Sequence, residues 1–141
     1  MADTNLQRFI DAQRADYATA LAEIKSGRKR SHWMWYIFPQ IQGLGFSSTS
    51  KFYAITDTDE AIAYLQHPVL GERLIAISKE LLKLADHNAA NIFGYPDDLK
   101  LRSCMTLFAA SHGSDPVFDA VLEKFFGGVR DKMTLAIINS R

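Results

Sequence analysis

The chain has 141 residues, 48% hydrophobic and 23% charged, a balance that predicts one soluble globular domain over 1–141 and argues against a disordered or membrane-embedded chain. Sixteen basic and sixteen acidic residues cancel, so the broad positive field needed for non-specific nucleic-acid binding is missing and nucleic acid is not an expected partner. A single cysteine, Cys104, permits no internal disulfide; with no signal-type apolar segment and no apolar run of about twenty residues, the expectation is a cytoplasmic protein without a membrane partner.

The elements read as helices with short punctuation. From Leu6, the apolar residues Phe9, Ile10, Tyr17, Leu21 and Ile24 recur at helical spacing, and Gly27 is placed to end that helix in a left-handed cap. Ser31 is a candidate cap for a short second helix, which must stop near Phe38 because Pro39 pushes the preceding residue out of the helical region. Ser47 to Ala54 forms a further short helix, and the Thr56 to Asp59 cluster caps one running through Gln66. Pro68 suits the first turn of a longer helix with Leu70, Leu74, Ile77, Leu81 and Leu84 on one stripe, ending near Asp86. Pro96 with Asp97 and Asp98 opens a helix to about Ser111, Asp115-Pro116 another to about Phe126, and a last helix occupies Asp131 to Ile138. No strand alternation is present, so the expected fold is an all-α, compact multi-helix domain.

The densest chemistry lies in Ser31-His32-Trp33-Met34-Trp35-Tyr36-Ile37-Phe38-Pro39-Gln40, directly after the basic segment Gly27-Arg28-Lys29-Arg30. On a helix, Trp33, Met34, Ile37 and Phe38 share one side and read as core, while His32, Trp35 and Tyr36 share the other. That second side carries an imidazole, an indole N–H and a phenol, which need partners if buried and can serve a ligand if open. Packing under another helix, with the polar tips satisfied by backbone, is the plainer alternative.

Helix electrostatics add a reason to look there. Lys25 and Arg28 suit the end of the first helix, but Lys29 and Arg30 sit at the start of the next, where each cation costs roughly 0.3–1 kcal/mol unless an anion is present. Lys29, Arg30, Ser31 and His32 could together hold a phosphate or carboxylate; a solvated charge run at a corner is the alternative. The Pro39 to Phe46 loop, with Gly43 and Gly45, is either a ligand-contacting loop or a plain connector.

Other signatures are weak. His32, His67, His87 and His112 form no metal-ligand spacing, and no cofactor fingerprint, Walker-type loop or Gly-x-Ser-x-Gly turn occurs. The expectation is therefore no metal and no cofactor. Cys104 lies among apolar residues and reads as a packing thiol rather than a nucleophile. Asp97 and Asp98 are explained by the helix start, with general-base chemistry beside Lys100 as the alternative.

Taken together, Leu6-Gln7-Arg8-Phe9, the Ser31 to Gln40 run, Gly43-Leu44-Gly45, Tyr53-Ala54-Ile55, His67-Pro68-Val69-Leu70-Gly71, Ile92-Phe93-Gly94, Asp97 to Leu101 and Met105-Thr106-Leu107-Phe108 make a sequence that resembles the bacterial family catalogued as domain of unknown function 1810. The resemblance covers nearly the whole chain and implies a mainly helical domain without assigned chemistry. Some members carry the label calpastatin, a protease inhibitor. Calpastatin inhibitory segments are disordered polar repeats, whereas this chain has no repeat and ample apolar residues for a core, so the label does not suit it.

The functional expectation is a preformed polar and aromatic pocket for a small anionic or nucleotide-like ligand, with catalysis left open. Lys29 and Lys51 supply charge, Trp35 and Tyr36 a stacking wall, and Ser31 and Gln40 polar contacts. His32 supplies a hydrogen bond or, if there is a reaction, proton transfer. The competing expectation is a protein-interaction module that uses exposed aromatic anchors. A concave aromatic surface favours the first and a convex one the second.

Overall fold

Capping and periodicity resolve, in the computed structural model of residues 6–140, into nine helices among the described residues: α1 (Gln7–Lys25), α2 (Met34–Ile37), α3 (Ser48–Tyr53), α4 (Thr58–Gln66), α5 (Leu70–Lys83), α6 (Ala89–Phe93), α7 (Asp97–Ala109), α8 (Pro116–Phe126) and α9 (Lys132–Asn139). The fold is all-α. The expected domain span of 1–141 includes residues 1–5 and 141, which lie outside the described residues. No helix among the described residues is long and apolar enough to cross a membrane.

Side-chain caps set several helix starts. Ser47 Oγ accepts from Ser50 N at 3.1 Å, Asp57 Oδ1 from Glu60 N at 2.9 Å, Asp115 Oδ1 from Val117 N at 2.8 Å and Asp131 Oδ2 from Thr134 N at 2.9 Å. Each satisfies a donor that the helix cannot pair internally. Gly27 takes φ +85° beyond the end of α1, as a left-handed cap requires. At the end of α5, the Lys124 ammonium donates to the carbonyls of Leu81, Leu82 and Leu84. The Leu81 carbonyl also accepts from Leu84 N at 3.3 Å, and the cation from α8 covers this end of α5, which stops at Lys83, a few residues before the expected Asp86.

The buried apolar residues form one cluster with α7 at its centre. Leu101 and Ser103 through Phe108 are all buried, so beyond its first turn α7 is packed among α8, α4, α9 and α6. Two of its buried polar members bond back along the helix: Ser103 Oγ to the Leu99 carbonyl at 3.2 Å and Thr106 Oγ1 to the Arg102 carbonyl at 2.7 Å. The α5 stripe Leu70, Leu74, Ile77 and Leu81 is buried as its spacing predicts. Gly71 permits the tight α4–α5 connection, since a Cβ there would stand 2.0 Å from the Leu65 carbonyl oxygen.

Two local features escape the sequence pattern. The short α6 has its Asn88 cap, 2.9 Å from Ala90 N, but five residues carry too little periodicity to announce a helix. Ile41 and Ile55 form an isolated parallel bridge, with Gln42 N donating to the Ile55 carbonyl and Ile55 N to the Gln40 carbonyl, both at 2.8 Å. That bridge ties the glycine-containing loop after Pro39 to the end of α3.

Candidate functional site

The corner between α1 and α2 resolves its own electrostatic conflict. Glu23, near the end of α1, accepts hydrogen bonds from Arg30 N at 2.8 Å, Ser31 N at 3.0 Å, Ser31 Oγ at 2.6 Å and Trp33 Nε1 at 2.9 Å. Burial alone would raise its pKa, yet these bonds outweigh burial and hold the carboxyl down at about 2. An internal carboxylate thus stands where the sequence invited a bound anion. Lys29 is engaged too, its Nζ 2.8 Å from Asp97 Oδ2 with the side chain only 7% exposed.

The second helix is shorter than Ser31 to Phe38. Trp33, not Ser31, is the residue before α2, and it makes no side-chain cap; the Ser31 hydroxyl is spent on Glu23 instead. Pro39 acts as expected, with Phe38 already outside the helical region at ψ 72°. Trp33, Met34, Ile37 and Phe38 are buried, and Trp33, Phe38 and Phe93 pack ring against ring.

The opposite side does not form one face. Tyr36 donates its hydroxyl to Asp16 and lays its ring 5.0 Å from that of Tyr53. Burial, reinforced by the Asp16 carboxylate, raises its pKa. Trp35 turns away from Tyr36, towards the start of α7, where the Lys100 ammonium lies 4.1 Å from the indole ring centroid. A single helical turn cannot keep the two rings on one wall once each finds a different neighbour.

Trp35 is the common wall of three adjoining depressions. The largest, about 230 Å³, is lined by Trp35, Leu44, Leu99, Lys100, Met133 and neighbouring residues that include Gln40 and Asp131. A second, about 90 Å³, holds Lys29, His32, Asp97 and Lys100 beside Trp35. The third is a recess of about 20 Å³ where Trp35, Gln40 and Lys51 meet the Gly43 to Gly45 loop, room for about one water. Gly45 is required there, because a Cβ would meet Ser50 Oγ at 2.5 Å.

Asp97 organises the charge. Its Oδ2 takes Lys29 and its Oδ1 takes Lys100 at 3.0 Å, and although burial works against it the two ammonium groups lower its pKa. Among the described residues, the indole N–H of Trp35, the side-chain amide of Gln40 and the ammonium of Lys51 have no protein hydrogen-bond partner. His32 is exposed at the rim of the second cleft.

The structure thus brings Trp35, Gln40 and Lys51 together, places Lys29 and His32 in the neighbouring cleft, and sets Ser31 and Tyr36 apart with internal partners. Lys100, Leu99, Asp131 and Met133 complete the groove and were not legible as ligand contacts. Only Lys100 had a signal, the Asp97-Asp98-x-Lys100 spacing, and that spoke first for a helix start. Asp97 pairs with lysines instead of capping, while Asp98 leaves Oδ1 buried without a hydrogen-bond donor. Cys104 is fully buried and burial raises its pKa well above the ordinary thiol value, consistent with packing rather than nucleophilic use. No group of three or more potential metal ligands is found among the described residues.

The chain is similar to a solved structure described as the crystal structure of the conserved hypothetical protein Rv1873 from Mycobacterium tuberculosis, with 44% sequence identity, 96% of each chain covered and a TM-score of 0.93. No curated protein matches. Over residues 3–138 the chain matches the family model described as protein of unknown function DUF1810, and it belongs to that family.

Proposed function

We propose that the groove at Trp35 binds a small anionic organic ligand. The observation that carries this reading is the indole of Trp35, which walls three adjoining depressions and keeps its N–H unpartnered, with the Lys100 ammonium 4.1 Å from its ring. A concave site with an aromatic wall, a few polar groups and a cation is the usual form of a small-molecule site. Trp35 supplies the stacking surface, Lys100 and Lys51 the charge, and Gln40 a polar contact. His32, at the rim, is the residue placed to exchange a proton with a bound molecule if a reaction follows. Lys29 acts through Asp97, which it shares with Lys100.

A thermal-shift screen of organic acids and phosphorylated compounds tests the reading. A ligand at one hundred times its Kd raises stability by about 2.7 kcal/mol, and Trp35→Ala and Lys100→Met should each abolish the rise. A rise that survives both substitutions places the ligand elsewhere and defeats the reading.

One observation favours a second reading, an interaction module. Phe46 and Tyr95, each one residue from a groove-lining residue, are 87% and 80% exposed, the kind of aromatic that anchors a protein interface. Trp35 itself lines a concavity, which supports the small-molecule reading first. Pull-down with a Phe46→Ala, Tyr95→Ala pair separates the two, since loss of a captured protein there with unchanged small-molecule binding favours the module.

A further inference from the structure

Resting on the groove reading above, the shape of the site narrows its ligand. We infer that the site takes a single-ring aromatic acid, an aryl carboxylate or aryl phosphate, with its ring in the larger groove and its acidic head in the cleft beside Lys100 and Lys29. The two compartments differ in chemistry and share only Trp35 and Lys100.

The larger one is mostly apolar on its walls, through Trp35, Leu44, Pro96, Leu99 and Met133. The smaller one presents two ammonium groups, one carboxylate and the His32 imidazole. At about 230 Å³ and 90 Å³, the pair together sits near the lower end of the roughly 300–1,000 Å³ typical of ligand pockets. A space of about 90 Å³ holds a few waters' worth of volume, which fits a carboxylate or phosphate. A ring on Trp35 gains stacking area, and a head group at the boundary meets the Lys100 ammonium without leaving the wall.

Asp97 already shows what such a head would do. Its Oδ1 occupies Lys100 at 3.0 Å while Oδ2 holds the buried Lys29 at 2.8 Å. A ligand acid takes over the Lys100 contact, and Asp97 keeps Lys29 as its partner. Lys29 therefore stays charge-balanced in both states, so binding need not uncover a buried unpaired charge, which would be costly.

The two tryptophans make the test direct, because the Trp33 indole N–H is bonded to Glu23 and the Trp35 indole N–H is open. In an NMR titration, with the two indole signals assigned by Trp35→Phe, benzoate and phenyl phosphate should move the Trp35 signal saturably and leave the Trp33 signal in place. Benzamide and inorganic phosphate should bind at least tenfold more weakly, and Lys100→Met should weaken benzoate at least tenfold, with an unmoved Trp33 signal showing that the variant is folded. Benzamide matching benzoate overturns the acidic head, and inorganic phosphate matching phenyl phosphate overturns the ring. Saturable binding of adenosine monophosphate with none of the ring acids overturns the single-ring class and leaves the groove reading standing. No response to any anion removes both.

Discussion

Trp33 and Trp35 are two residues apart, and their surroundings illustrate two fates for the same chemistry. Around Trp33, four donors share one internal acceptor: the indole N–H, the Ser31 hydroxyl and two backbone N–H groups converge on Glu23. Around Trp35, the indole N–H, the Gln40 amide and the Lys51 ammonium have no protein hydrogen-bond partner among the described residues. The difference teaches that residue type alone does not single out a candidate site, and that unfilled hydrogen-bonding capacity narrows the choice. A buried polar group must be paired, so a region that pairs all of its own groups has little left for a ligand.

The contrast makes its largest prediction for the two indoles. Trp33 is 1% exposed, so Trp33→Ala should cost about 3–5 kcal/mol by leaving a cavity. Trp35→Ala, at a half-buried wall, should cost only about 1 kcal/mol while removing ligand binding. Equal losses in chemical denaturation would erase the distinction between the two regions.

Glu23→Gln comes next, at about 1–3 kcal/mol, because the amide keeps the shape but loses charge-assisted acceptance and turns a donor towards donors. The pH dependence follows from the lowered pKa. A carboxyl near 2 in the folded protein, against an ordinary 4.5, contributes stability that is complete above about pH 4.5 and lost as pH falls through about 2. Denaturation midpoints between those values should fall more steeply for the wild type than for Glu23→Gln; parallel curves would remove Glu23 as the internal anion. The smallest effect belongs to Lys51→Ala. Its ammonium has no protein partner, so stability should stay within about 0.5 kcal/mol, and any change should appear in ligand affinity and its salt dependence.

Much of this was legible in local sequence. The apolar spacing of α1 and α5, the short helix after Ser47, the caps Asp57 and Asp115, and the stop before Pro39 all appear where the residues place them. So does the burial of Trp33, Met34, Ile37 and Phe38. The failure at Ser31 is equally instructive. Its hydroxyl can serve a helix start or a carboxylate, and Glu23, one loop away, decided the matter. For Asp97 and Asp98, the helix start was right and the side-chain role was not. Lys29 reaches Asp97 only because α6 and the start of α7 fold back on the α1–α2 corner, where Lys29 N also donates to the Ile92 carbonyl at 2.7 Å.

What the sequence by itself determined is the all-α class, most helix positions and which side of the aromatic run enters the core. These depend on hydrogen bonds and hydrophobic periodicity within a few residues, and so are written locally. The tertiary structure alone decided that Glu23 would be the anion of the corner, that Tyr36 would leave Trp35 for Asp16 and Tyr53, and that Lys100 would stand over the Trp35 ring. Those choices depend on which distant groups packing brings within hydrogen-bonding reach, and a polar side chain takes the partner that desolvation leaves beside it.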